Sequence, residues 1–206
     1  MYHAKDRGRN LCEFFSSEMT ARVAAHLELE TQLREATEQN QLDLYLQPIV
    51  RLSDGSIHSC EALLRWNHPE RGWVSPAEFV PVLEETGMIL PVANWSLVAI
   101  AQHRDACRQA GVEPTTVSLN VSPRLLQGKS FLNSLLEALE HRSMDPERLI
   151  VEITEDVLIQ DVRSADRALR SLKEMGVRIA LDDFGTGQSS LNHLRGFPID
   201  IVKIDR

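Results

Sequence analysis

Residues 149–183 read LIVEITEDVLIQDVRSADRALRSLKEMGVRIALDD, and this stretch decides the fold class. Leu149 to Thr154 is a short apolar run enriched in β-branched residues, the mark of a buried strand. Arg163 to Lys173 is charged and has the composition of a solvated helix face, and Gly176 stands where that helix must stop. Val177 to Asp182 is then a second apolar run. Strand, helix and strand in this order make a parallel unit crossing over through a helix.

The same punctuation extends outward in both directions. Strands are expected at Thr116 to Val121 and Ile199 to Ile204. Ser75-Pro76 and Ser122-Pro123 supply the N-cap and first-turn chemistry of helix starts, and Gly87 and Gly111 mark helix ends. Upstream, Leu42 to Val50 and Ile57 to Trp66 alternate around Ser53-Asp54-Gly55-Ser56, which reads as a hairpin. Before the hairpin, Val23, Leu27, Leu33 and Ala36 recur near a helical period, predicting an amphipathic helix over Thr20 to Gln41. Six strands follow, the first pair antiparallel. A (β/α)₈ barrel has eight strands in about 250 residues, so the expectation is an α/β barrel of TIM type with about six of its eight strands present. An open doubly wound sheet is the alternative.

Composition narrows the function. The 206 residues carry 22 basic and 30 acidic side chains, a net charge of −8, which argues against duplex nucleic acid as a partner. Cys12, Cys60 and Cys107 are an odd, widely spaced set that fits neither a disulfide framework nor a zinc site, so a cytoplasmic setting is expected. No apolar run approaches the ~20 residues of a membrane span, although upstream segments of a longer parent could anchor it to the inner membrane.

Polar residues collect where the strands end: Glu61, Asn120, Glu152, Asp182 with Asp183, and Lys203 with Asp205. In parallel α/β folds this is the edge on which sites are built. Parity sets Glu61 with Leu63 and Arg65, Asn120 with Ser118, and Glu152 with Thr154, each opposite apolar neighbours. Carboxylates on such strands need a partner to offset desolvation. Three or four of them with an amide oxygen are hard ligands suited to Mg²⁺ or Mn²⁺ rather than zinc. Neighbouring Asp182 and Asp183 point apart on an extended strand, and a bend in Asp183-Phe184-Gly185-Thr186-Gly187 would let each serve one of two metals. Two metals about 3.5–4 Å apart clamp a phosphodiester and activate water. Lys203 could orient that water, and Arg65 could grip a phosphate oxygen.

Each residue alone also has a plain reading: Glu61 and Glu152 as strand-end carboxylates, Asp182-Asp183 as a helix cap, Lys203 as a salt-bridge partner. His58, His68, His103 and His193 show no metal-ligand spacing and are expected to be structural or exposed. Trp66, Trp73 and Trp95 are expected to pack.

The motifs together resemble a known family. Glu61-Ala62-Leu63, extended through Leu64-Arg65-Trp66, is similar to the signature of the EAL domain of bacterial cyclic-di-GMP phosphodiesterases. Gln47-Pro48-Ile49, Ser75 to Phe79, Ser118 to Ser122, Glu152 to Glu155, Asp182 to Gly187 and Lys203-Ile204-Asp205 occur in the family's order. The resemblance implies metal-dependent hydrolysis of cyclic-di-GMP to linear pGpG with Mg²⁺ or Mn²⁺. It implies Glu61, Asn120, Glu152 and Asp182 as ligands of one metal, Asp183 of a second, and Asp205 beside it. It implies Lys203 as the residue assisting water, Arg65 and Gln47 as substrate contacts, and Glu155 as a brace for the loop Asp183 to Gly187. A homodimer through this domain is implied as well.

Met1 to Asn10 resembles the closing helix of a GGDEF, or diguanylate cyclase, domain. The expected organisation is therefore a GGDEF-like remnant at 1–19, a linker helix at 20–32, and an EAL domain at 33–206 lacking its last two strands. Two alternatives remain: a catalytically silent EAL domain acting as a cyclic-di-GMP receptor or protein-interaction module, and a different metal-dependent barrel enzyme.

Overall fold

A computed structural model describes residues 17–141, 144–185 and 196–205. The GGDEF-like segment, Cys12, His193 and the Thr186-Gly187 end of the Asp183 loop lie outside the described residues. The chain opens with helix α1 (Ser17–Glu38), followed by the hairpin β1 (Leu42–Val50) and β2 (Ile57–His68) and a short β3 (Gly72–Val74). Helices α2 (Pro76–Thr86) and α3 (Ile89–Gln109) lead to β4 (Thr116–Asn120), and α4 (Pro123–Gln127) and α5 (Lys129–His141) to β5 (Leu149–Thr154). Then come α6 (Glu155–Gln160), α7 (Val162–Glu174), β6 (Arg178–Phe184) and β7 (Ile201–Ile204).

The strands form one sheet in the order β1-β2-β4-β5-β6-β7, with β3 paired to β2. Only β1–β2 and β2–β3 are antiparallel; every later pairing is parallel. The six expected strands are all present. The short β3 was not anticipated: three residues between Gly72 and Ser75 are too few to display alternation.

Sheet and helices meet as the pleat demands. Ala62, Val117, Leu119, Val151, Ile153, Ile179 and Leu181 turn one face toward Leu97, Ile100, Leu135, Leu169 and Leu172 of the helices, and all are buried. The alternate residues, including Glu61, Ser118, Glu152 and Asp182, therefore stand on the opposite face. A second cluster fastens α1 and α2 to the hairpin: Leu29, Leu33, Ala36, Leu42, Trp66, Phe79, Val82 and Leu83. At its centre Trp66 meets Phe79 edge-on, with ring centroids 5.7 Å apart.

Three local expectations change. The stripe on α1 is Leu29, Leu33 and Ala36, whereas Val23 and Leu27 are exposed, because only the C-terminal half of the helix reaches the hairpin. Ser75 and Ser122 occupy N-cap positions with extended backbone, but neither side chain makes a capping hydrogen bond, so Pro76 and Pro123, with φ already set for a helix, mark these starts. Trp73 is 57% exposed rather than packed. Gly87, Gly111 and Gly176 do stand at positive φ where α2, α3 and α7 end.

Trp66→Ala should cost roughly 3–5 kcal/mol of stability, the usual range for emptying a buried aromatic site, because Trp66 is wholly buried. Urea unfolding of the variant beside the parent checks this, and a loss below about 1 kcal/mol would show that the second cluster does not hold the hairpin.

Candidate active site

The register of the sheet sets the site. Glu61 pairs with Gln47 across the hairpin and with Ser118 on β4. Asn120 pairs with Glu152, Glu152 with Ala180, and Thr154 with Asp182. Ala180 pairs with Ile201, so Lys203, two residues on, returns to the same face. Side chains distant in sequence thereby converge above the C-terminal ends of the parallel strands.

Lys203 is the hub. Its Nζ donates to Glu152 Oε2 at 2.7 Å, Asp182 Oδ2 at 2.9 Å and Glu61 Oε2 at 3.0 Å. Asn120 Nδ2 donates to the other oxygen of Glu61 at 2.9 Å. One ammonium thus links β2, β5 and β6 to β7, and the amide adds β4.

Electrostatics follow from this crowding. Burial pushes the Glu152 carboxyl above the usual range, against hydrogen bonds from Lys203 that favour its charge. Burial likewise opposes the charge of Lys203, but hydrogen bonds to Glu152 and Asp182 and the field of Glu152 outweigh it, and the ammonium is held above an ordinary lysine. Asp183, though exposed, is raised by partial desolvation and then by its like-charged neighbours Asp182 and Asp205, with Lys203 in partial opposition.

The donor set fits a divalent cation. Glu61, Glu152 and Asp182 each offer an oxygen, and the three oxygens lie within 4.8 Å of one another. Lys203 already supplies positive charge to that space, so it accepts a cation. Oxygen-only donors favour Mg²⁺, Mn²⁺ or Ca²⁺ over softer metals. Asn120 as placed presents its nitrogen, and ligation would turn its oxygen inward.

Other expected residues sit around this centre. Gln47 shares the face of Glu61 on β1. Arg65, one turn of the pleat beyond Leu63, donates to its neighbour's carbonyl, Leu64 O, at 2.9 Å. It also lines a cavity of about 360 Å³ with Tyr45 and Trp73. Asp183 and Asp205 are exposed and stand outside the three-carboxylate group. The bend at Asp182-Asp183 is real, but its pivot is Asp183 itself, at φ 55, with Gly185 following at φ 101. The β6–β7 register slips between Leu181 and Phe184 at the same place. Glu155 is buried immediately after β5.

The histidines are otherwise occupied. Buried His68 accepts the backbone N–H groups of Glu70 and Arg71 through Nδ1, both at 3.1 Å, and His58 contacts Arg51. Tyr45 and Trp73 were not anticipated at the site. Their rings meet edge-on at 5.6 Å beside Arg65, and the parity of Tyr45 with Gln47 was the available signal.

The EAL domain profile matches residues 30–206. The chain belongs to the EAL domain family. Over 212 residues it is 40% identical to the bifunctional diguanylate cyclase/cyclic di-GMP phosphodiesterase MucR of Pseudomonas aeruginosa, covering 100% of this chain and 30% of MucR. It is 36% identical to the cyclic di-GMP phosphodiesterase PdeR of Escherichia coli over 206 residues, covering 100% of this chain and 31% of PdeR. Among solved structures, the PaMucR phosphodiesterase in complex with c-di-GMP superposes with a TM-score of 0.81 at 36% identity, over 86% of this chain and 72% of that one. This EAL domain chain spans under a third of the length of those two relatives. The solved EAL structures establish the barrel-type architecture expected from the strand order.

In this EAL domain, Lys203→Met should leave three carboxylates without their cation. Breaking a buried ion pair costs about 3–5 kcal/mol, and the low end applies because Lys203 and two of its partners keep a fifth to a quarter of their side-chain surface exposed. Thermal unfolding in EDTA should show that deficit, and excess Mn²⁺ should recover most of it. A variant as stable as the parent in EDTA would contradict the hub.

Proposed function

We propose that this EAL domain hydrolyses cyclic-di-GMP to linear pGpG in a Mg²⁺- or Mn²⁺-dependent reaction; the relatives MucR and PdeR both carry the name cyclic di-GMP phosphodiesterase. The carrying observation is that Glu61, Asn120, Glu152, Asp182 and Lys203 meet in one constellation, with no substitution among the positions that the family resemblance assigns to metal and water. A catalytically silent receptor would not need this set intact.

Glu61, Glu152, Asp182 and the amide of Asn120 would hold one divalent ion, and Asp183, with Asp205 beside it, would serve a second. When bound, such ions lower the pKa of water and neutralise charge on the phosphodiester. The protein's own contribution is separate. Lys203, held protonated by three carboxylates, is a fixed donor that orients the attacking water and meets charge developing on the phosphate. Arg65, whose guanidinium lines an open cavity on the same sheet face, holds a phosphate oxygen in a forked hydrogen bond. Gln47, opposite Glu61, contacts the substrate across the hairpin. Glu155, buried at the end of β5, steadies the Asp183 loop.

A homodimer and an upstream GGDEF domain in a longer parent belong to the same proposal. They rest on the family resemblance, and in the second case on the two-activity name of MucR. No helix among the described residues is long and apolar enough to cross a membrane, and a cytoplasmic setting remains part of the proposal.

Incubation of cyclic-di-GMP with Mn²⁺ and a longer form of the protein should yield pGpG. Glu61→Ala and Lys203→Met should each lower the rate by about 10²–10³, the range for losing one electrostatic group at a transition state. Tight binding of the dinucleotide with no pGpG from the longer form would replace the enzyme with a receptor.

A further inference from the structure

At the other end of the sheet lies a cavity of about 350 Å³ that the proposed reaction does not use. Its lining includes Arg104 and Arg108 from the last turns of α3 and Arg148 from the turn before β5, with Glu113 and Asp145. Three guanidinium groups converge on it in a chain whose net charge is −8.

The carboxylates are already engaged. Arg148 pairs with Glu113 at 2.5 Å and with Asp145 at 3.5 Å, and it donates to the carbonyl oxygen of Pro114 at 2.8 Å. Arg108 pairs with Asp105 at 3.1 Å. Arg104 is different. It is 2% exposed, yet its Nε and Nη1 have no hydrogen-bond partner among the described residues. Burying a charged group with open donors costs free energy unless an acceptor is supplied. The cavity is the side from which one can come, and an acceptor there would satisfy the guanidinium that the fold leaves short.

We infer that this cavity is a binding site for a small tetrahedral oxyanion, inorganic phosphate or the phosphate group of a phosphomonoester, recognised by Arg104 with Arg108 and Arg148. A guanidinium offers two parallel donors that match two oxygens of one anion. The arginines reach the cavity from two elements, α3 and the turn before β5, so the ligand must present oxygens in more than one direction. A halide has no such geometry. The site also touches the active end through the fold: β4 and β5 begin at its rim, and at 3.3 Å per residue Asn120 stands about 13 Å along β4 and Glu152 about 10 Å along β5.

The inference does not depend on the proposed hydrolysis and can be tested without substrate or metal. Inorganic phosphate and glycerol phosphate are titrated into the protein in EDTA at fixed ionic strength, with NaCl as the control, following Tm and heat of binding. Saturable, one-to-one stabilisation by at least one of the two is expected. Arg104→Leu should fold at least as stably without ligand, since it removes an unpaired buried charge, and should bind at least tenfold more weakly. Arg104→Lys, which keeps the charge and loses the fork, should also bind about tenfold more weakly and serves if the leucine variant fails to fold. The absence of saturable stabilisation in the parent, or an unchanged response in the Arg104 variants, would overturn the site.

Discussion

A single ammonium group surrounded by three carboxylates is the constraint on which the functional end of this protein depends. Glu61, Glu152 and Asp182 come from three strands, and their oxygens are close enough that mutual repulsion is on the order of a few kcal/mol per pair at a protein-like dielectric. Lys203 offsets that repulsion with three hydrogen bonds between 2.7 and 3.0 Å. A last strand that failed to bring Lys203 to the correct face would leave the cluster uncompensated. The β6–β7 pairing is therefore both a sheet contact and an electrostatic requirement, despite the register slip beside Asp183.

The rest of the architecture serves this convergence. Alternation on the parallel strands sends Val151, Ile153, Ile179 and Leu181 into the helix layer, and the same parity forces Glu152 and Asp182 onto the other face. The floor beneath them is made of small or apolar buried residues, Ser118, Ile150 and Ala180, which leave room for the longer side chains above. Side chains so placed are held rigidly because each stands on a strand rather than on a loop. Asp183 differs: still within β6, it takes a positive φ and stands outside the group formed by Glu61, Glu152 and Asp182.

Much of this was legible in the sequence, for specific reasons. Leu149–Thr154 is an apolar run interrupted by one carboxylate, Glu152, and Ile179–Leu181 is one that ends in two, Asp182 and Asp183, so both the strand and the residue that must face away from the core are legible together. Asn120 and Lys203 were legible by position at strand ends. What escaped was what depends on tertiary contact. Trp73 looked like a packing residue because nothing in its neighbours reveals a three-residue strand that places it beside Tyr45 and Arg65. Val23 and Leu27 fit a helical period, but period alone does not say where a partner surface begins. The bend falls in the segment that begins at Asp183, but which residue turns is not spelled in it: Asp183, an aspartate that tolerates the left-handed conformation, takes a positive φ ahead of Gly185. Arg104 gave no signal at all, since a buried and an exposed arginine are spelled alike.

The central claim is that the space Lys203 shares with the three carboxylates is a divalent-cation site. The most direct measurement is anomalous diffraction from crystals of the protein soaked in Mn²⁺. The account predicts a manganese peak in contact with oxygens of Glu61, Glu152 and Asp182, with the Asn120 amide turned to present its oxygen and Lys203 displaced from at least one carboxylate. Crystals at saturating Mn²⁺ with no peak there, and with Lys203 still bridging all three carboxylates, would contradict it.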